Sequence, residues 1–166
     1  MSALITGRVH RFGDEVNTDV ILPGRYLALR KPEELGRHCL EGLDPDFIHR
    51  VRPGDILAVG RNFGCGSSRE HAVIALKAAG VAGIVAVSAA RIFFRNAVNL
   101  GLPVLLCAEA AGALREGEEA SIDLDAMAIA QAGQAWRAAA LGDEVRAILA
   151  AGGLVPRVRQ ALGAAA

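Results

Sequence analysis

Residues 62–72 (NFGCGSSREHA) put Gly64, Gly66, Ser67, Ser68, Arg69 and His71 on one short connection. It lies between an apolar run, residues 56–59, and a helix-patterned run ending at Ala79. Two hydroxyls and a guanidinium near a helix start provide donors for an anion. Arg69 has the fork geometry for a two-point carboxylate contact. Gly64 and Gly66 let backbone approach a ligand closely. A serine is a poor base at neutral pH, but backbone N–H groups and a neighbouring guanidinium favour its oxyanion. On spacing alone the plainer reading is two capping serines and a surface charge.

The elements that must carry this connection follow from the pattern around it. Residues 3–12 read as a strand, residues 17–19 as a polar turn, and Pro23-Gly24 as a break. Residues 33–41 suit a short helix after Pro32. Residues 56–59 form a buried strand. Ala72, Ala75, Leu76 and Ala79 fall at helical spacing, so a helix is predicted over 68–79 with Ser67 or Ser68 as N-cap and Gly80 as the stop. A strand at 83–87, a helix at 90–100 and a strand at 103–106 follow. Two strand–helix–strand units in succession predict a partly parallel sheet with helices packed on it. Beyond Glu109, residues 120–124 read as an alternating strand and 142–151 as a helix. Residues 126–140 are alanine-rich and poorly specified, and about 156–166 reads as a frayed tail.

The 166 residues fit one domain, spanning 1–166, and 52% apolar against 22% charged content argues against disorder. The formal net charge is zero, so no global field draws nucleic acid or an anionic membrane, and an anionic substrate must be held by local charge. Cys39, Cys65 and Cys107 form no CxxC pair, which points away from zinc and disulfides and toward a reducing, cytoplasmic setting. The amino terminus lacks the apolar run of a secretion signal, and no apolar run is long enough to span a bilayer.

Several separated motifs carry a resemblance. Besides residues 64–72 they are residues 17–26 (NTDVILPGRY), His38-Cys39, residues 41–45 (EGLDP), 52–55 (RPGD), 75–80 (ALKAAG), 90–96 (ARIFFRN) and 151–155 (AGGLV). In order and spacing the chain resembles the swivelling domain of the aconitase superfamily, in the free-standing form found in small subunits of 3-isopropylmalate dehydratase and homoaconitase. The resemblance covers about residues 4–155 and implies a three-layer β/β/α architecture.

It also implies a mechanism. In this family a large subunit carries a 4Fe–4S cluster and the small subunit closes over it, supplying the base. Ser67 matches the catalytic serine, which removes a carbon-bound proton and returns it. Ser68 and Arg69 match residues that bind the substrate's carboxylates. Asp19 matches an acidic position assigned to active-site support, with an Asx-turn as the alternative. The implied substrate is a small di-acid, no cofactor or metal is expected on this chain, and an isolated chain is open to self-association through its docking surface.

Residues Tyr26, Leu27, Ala28 and Leu29 resemble the loop that faces the substrate's variable substituent. Homoaconitase-like forms place an arginine where Ala28 stands, so the resemblance favours an isopropyl group over an extra carboxylate. A 2,3-dimethylmalate dehydratase subunit and, in a different class, a non-catalytic anion-binding module are the alternatives. Cys65 is expected to pack rather than bind iron. His38 and His71 are expected to be structural or hydrogen-bonding, and Phe93 and Phe94 to be core. Arg91 and Arg95 suit a subunit interface or a solvated helix edge.

Overall fold

The computed structural model describes residues 4–163. Seven strands form one mixed sheet in the order β4-β3-β2-β1-β5-β6-β7. Strand β1 (Leu4–Phe12) joins its two halves. The second half of β1 pairs in parallel with β2 (Ile56–Val59), Val9 opposite Ile56. The first half pairs antiparallel with β5 (Glu119–Asp123), Ile5 opposite Ile122. Parallel pairing continues through β3 (Gly83–Ala86) to β4 (Val104–Leu106). Antiparallel pairing continues through β6 (Ala128–Gln131) to β7 (Gln134–Arg137).

The two faces of the parallel strands fill different cores. Leu57, Val59, Ile84, Ala86 and Val104 point to the helices. Ile56, Ala58, Val85 and Leu105 point the other way, onto Ala120 and Ile122 of β5 and Ile129 of β6. Alternation with period two on strands buried on both sides sorts these residues. The antiparallel half therefore packs back over the parallel half, and the order of layers is antiparallel sheet, parallel sheet, helices, the β/β/α arrangement the resemblance implies.

Helices α4 (His71–Ala79) and α5 (Arg91–Asn99) are the crossovers of the two strand–helix–strand units. The strand order advances in one direction, so connections of one hand put both helices on one face. Ala72, Val73, Ala75 and Leu76 of α4 and Phe93 and Ala97 of α5 all enter the first core. Phe94 packs against it while partly exposed. Each fully buried phenylalanine contributes about 2–3 kcal/mol of transfer free energy.

Several expectations need correction. The polar residues 17–19 are not a free turn: Thr18–Ile21 is one helical turn, α1, and Asn17 caps it by accepting the Val20 amide at 2.9 Å. Only Pro32–Gly36 of the expected 33–41 helix is helical (α2). Phe47–Arg50 (α3) and Ala108–Ala113 (α6) are additional short helices, stabilised through the buried Phe47 and Ala110-Ala111. Residues 126–140 contain the β6–β7 hairpin, turned by Ala132 and Gly133 at φ of 49° and 80°. Paired positive values are those of a two-residue hairpin turn, reached here without its usual Asn-Gly signal. Asp143–Ala150 is helix α7, as the pattern predicts. The expected tail from about 156 is instead largely helix α8 (Leu154–Ala161), which packs on α5 and α7. Residues 164–166 of that tail lie outside the described residues.

A buried polar cluster ties the sheet to the turn before β2. Asp55 Oδ2 lies 2.7 Å from His10 Nε2 and accepts the Arg52 amide at 2.8 Å, and Oδ1 accepts the Arg8 amide at 3.0 Å. Burial alone raises the carboxyl's pKa; the His10, Arg52 and Arg8 hydrogen bonds outweigh it and hold it below the usual range. A depressed folded value means stability that is complete above the unfolded pKa of about 3.9 and lost as pH falls through the folded value. Asp55→Asn is expected to cost about 3 kcal/mol at pH 7, because one member of a buried hydrogen-bonded pair is removed. In thermal melts, the gap between wild type and variant should close as the pH drops below about 4. A gap independent of pH would show that the carboxylate's charge contributes nothing.

Candidate active site

The loops that follow β1, β2 and β3 meet at the carboxyl ends of the parallel strands, where open α/β sheets bind ligands. Residues 60–70, after β2, form the central loop. Phe63 is its anchor: it is fully buried, its amide donates to Ser88 O at 3.1 Å and its carbonyl accepts the Ala90 amide at 2.9 Å. Its ring meets Phe93 edge-on, with centroids 5.2 Å apart. The loop is then stitched to the loop after β1. Gly64 N–H donates to Val16 O at 2.8 Å, and Thr18 N–H donates to Cys65 O at 2.8 Å. Ser67 N–H donates to the buried Thr18 Oγ1 at 2.9 Å. On its other side, Asn96 of α5 donates from Nδ2 to Ser68 O at 2.9 Å.

Neither serine caps α4. The helix begins at His71 with Glu70 in the cap position and no side-chain cap bond. The physical reason lies in Ser67. Its amide is taken by Thr18, and its hydroxyl oxygen accepts from Arg69 instead, from Nε at 2.7 Å and from the backbone amide at 3.2 Å. Two donors on one hydroxyl oxygen, one of them charged, favour its deprotonated form. Arg69 uses Nε in this contact; among the described residues its Nη1 and Nη2 have no partner, which leaves the fork end for a carboxylate.

The pocket at this point has room for about one water (≈ 10 Å³). Ser67, Arg69, Asp19 and Thr18 supply its polar lining, and Leu22, Leu27 and Ala72 its apolar lining. Asp19 sits exposed in the first turn of α1 and is not the Asx residue, a role Asn17 fills. His71 completes the lining, and its Nδ1 is buried without a hydrogen-bond partner. Thr18, Leu22 and His71 are lining residues that the sequence pattern does not single out as such. A threonine after the capping Asn17 is the available signal for the first; nothing in the sequence distinguishes Leu22 from core.

The remaining expected site residues separate. Ser68 is exposed and outside the lining, holding the loop through its carbonyl. Of the 26–29 loop, Leu27 lines the pocket, Ala28 is exposed, and Leu29 and Tyr26 pack partly buried against the core. Gly64 is not open to a ligand: a Cβ there would lie 2.1 Å from Phe93 Cγ, and its φ is +76°. Gly66 has φ +102° but space, since a Cβ there would lie 3.4 Å from Thr18 Oγ1. Cys65 is half-buried with Sγ 3.8 Å from Glu15 O. Burial pushes the Cys39 thiol far up, so it is inert. His38 is hydrogen-bonded, its Nδ1 lying 2.6 Å from Glu41 Oε2. Arg91 and Arg95 are both exposed. Among the described residues no group of three or more His, Cys, Asp or Glu side chains is placed to hold a metal ion, so the donor set for an iron–sulfur cluster is not assembled here.

A three-layer β/β/α domain with a serine–arginine pair at its strand ends is the arrangement that the resemblance to the aconitase-type swivelling domain implies. The Aconitase C-terminal domain family matches residues 34–109. The 3-isopropylmalate dehydratase small subunit of Heliobacterium modesticaldum is 51% identical over 156 residues, 93% of this chain and 94% of the relative. The 2,3-dimethylmalate dehydratase small subunit of Eubacterium barkeri is 48% identical over 151 residues, 90% of this chain and 93% of the relative. The crystal structure of 3-isopropylmalate dehydratase from Methanocaldococcus jannaschii superposes with a TM-score of 0.89 at 43% identity, covering 96% of this chain and 95% of that one. The chain belongs to the family of 3-isopropylmalate dehydratase small subunits.

The two glycines should respond differently to alanine. Gly64→Ala meets both the Phe93 ring and an unfavourable φ and is expected to cost about 3–5 kcal/mol. Gly66→Ala meets the φ alone and should cost about 1–2 kcal/mol. Urea unfolding of the two variants checks this; equal costs would contradict the packing assigned to Gly64.

Proposed function

We propose that this chain is the small subunit of 3-isopropylmalate dehydratase in leucine biosynthesis, a cytoplasmic hydro-lyase subunit that acts with a large subunit. The observation that carries the reading is Ser67 Oγ, held by the Arg69 side chain at 2.7 Å beside an apolar wall of Leu22 and Leu27. In the forward direction the Ser67 alkoxide takes the proton from the carbon next to the hydroxyl-bearing one. Hydroxide leaves the neighbouring carbon, giving 2-isopropylmaleate, with the proton held on the Ser67 oxygen. Hydroxide then adds to the carbon that lost the proton, and the Ser67 hydroxyl returns its proton to the carbon that lost hydroxide, which restores the alkoxide. Arg69 holds the serine oxygen by Nε and a substrate carboxylate by Nη1 and Nη2, so base and substrate are placed by one rigid group. Ser68 adds a donor to a carboxylate once the complex closes, and Asp19 supports the site from the facing loop.

A pocket with room for one water does not enclose a branched di-acid. The remaining walls are assigned to the large subunit, and so is the 4Fe–4S cluster, whose ligands do not fit this chain. Among the described residues no helix is long and apolar enough to cross a membrane. A second reading, a dehydratase of 2,3-dimethylmalate, is favoured by the Eubacterium barkeri relative and by the same apolar wall. A homoaconitase role is disfavoured: Arg69 is the one Lys or Arg in the described pocket lining, which leaves no cation for an extra carboxylate.

In the enzyme reconstituted with its large subunit, Ser67→Ala should lower kcat by about 10²–10⁴-fold. Co-elution of the two subunits should be unchanged. A kcat near that of wild type would remove Ser67 as the base. Turnover by the purified chain alone would contradict the two-subunit reading.

A further inference from the structure

The loop that brings Leu27 to the pocket makes only local backbone hydrogen bonds, although Tyr26, Leu27 and Leu29 pack partly buried against the core. Gly24–Tyr26 is a single 3-10 turn, closed by Tyr26 N–H to Pro23 O at 3.0 Å and Leu27 N–H to Gly24 O at 3.2 Å. A turn this short does not persist without tertiary support. Ala28, which follows Leu27, is exposed.

The polar support comes from one carboxylate on the neighbouring segment. Glu41 Oε1 accepts the Tyr26 hydroxyl at 2.8 Å and pairs with Arg25 Nη2. Glu41 Oε2 lies 2.6 Å from His38 Nδ1. The Tyr26 ring stacks on the His38 ring, with centroids 3.6 Å apart and planes 10° apart. The Arg25 guanidinium lies over the same Tyr26 ring, 4.7 Å from its centroid. Glu41 itself is fixed from behind: Leu40 N–H donates to Ile21 O of α1 at 2.7 Å, and Glu41 N–H donates to His38 O at 3.2 Å. The Glu41 and His38 side chains are 29% and 32% exposed and Arg25 is 63% exposed, so the His38 and Tyr26 contacts carry the clamp and the solvated Arg25 pair adds little. The His38, Tyr26 and Arg25 hydrogen bonds keep the carboxyl below its ordinary pKa, so it is ionised at neutral pH.

We propose that Glu41 is a positioning residue for substrate choice: by clamping Arg25, Tyr26 and His38 it fixes where Leu27 stands opposite Ser67, and so sets the width of the alkyl side of the pocket. Glu41 touches no substrate. It acts through Leu27, and the proposal rests on the functional reading above for the identity of the substituent that Leu27 meets. A loop free to move loses contact with an isopropyl group, which presents more surface to Leu27 than a single methyl group does. The loss falls on the larger substrate, because each methyl or methylene in such a pocket carries about 10–200-fold of discrimination in kcat/KM.

The test uses Glu41→Gln and Tyr26→Phe, the second keeping the stacked ring and removing only the hydroxyl. Two readouts are needed: amide hydrogen exchange of residues 24–29 in the isolated chain, and kcat/KM of the reconstituted enzyme for 3-isopropylmalate and 2,3-dimethylmalate. Glu41→Gln should speed exchange at 24–29 about tenfold and leave residues 62–70 unchanged. It should lower the isopropylmalate to dimethylmalate ratio of kcat/KM about fivefold. The change should enter through KM, with kcat within about twofold. Tyr26→Phe should move both readouts in the same direction by less, and it carries the test should Glu41→Gln fail to fold. Unchanged exchange, faster exchange with an unchanged ratio, or an equal fall for both acids each overturns the proposal. A wild-type enzyme that turns over neither acid would overturn the functional reading instead, and the exchange of residues 24–29 would still decide whether Glu41 clamps the loop.

Discussion

The hydrogen bond from Ser67 N–H to Thr18 Oγ1 is the contact on which the site depends. It joins residues 49 positions apart in the chain. Without it, the largely exposed segment from Gly66 to Ser68 would be tied to α1 only through the Thr18 amide on Cys65 O. With it, and with the two flanking backbone bonds from Gly64 to Val16 and from Thr18 to Cys65, the loops after β1 and β2 behave as one piece. It also places the serine for chemistry. The bond fixes the serine backbone, and the hydroxyl oxygen accepts from Arg69 rather than capping a helix.

The sheet makes that contact possible. Parallel pairing of β1 with β2 and β2 with β3 brings three loop starts to the same end of the molecule. Phe63 and Phe93 form the floor beneath them, and Gly64 is the residue that lets the backbone lie against that floor. The antiparallel half serves a different purpose. It covers the far face of the parallel strands through Ile122 and Ile129 and contributes nothing to the lining of the pocket. Leu27, the residue proposed to meet the substrate's alkyl group, is on a third segment, between α1 and α2, held by side chains rather than by the sheet.

Much of this is legible in the sequence because local pattern and tertiary structure agree. The two strand–helix–strand units combine short apolar runs with helical spacing and glycine stops, and they fold where that pattern puts them. The serine–arginine connection stands out by composition, and its wider motifs carry the family. What escapes the sequence depends on long-range partners. Ser67 has the chemistry of a cap until Thr18 and Arg69 occupy its amide and hydroxyl. The β6–β7 hairpin hides in an alanine-rich run because Ala132 takes a positive φ that asparagine or glycine usually signals. Helix α8 reads as a tail because it fully buries none of its side chains and is held by packing on α5 and α7. Leu27 and Ala28 differ in which faces the pocket, and one residue of rotation in a 3-10 turn is below what spacing resolves.

Thr18→Val tests the central contact most directly. Valine keeps the size of threonine and removes the oxygen that holds Ser67. The account predicts a folded protein destabilised by about 1 kcal/mol, with kcat of the reconstituted enzyme lowered about 10²-fold by misplacement of the base and restored by Thr18→Ser. A Thr18→Val enzyme with kcat within about twofold of wild type would show that the Ser67 oxygen is placed by something else, and would contradict the account.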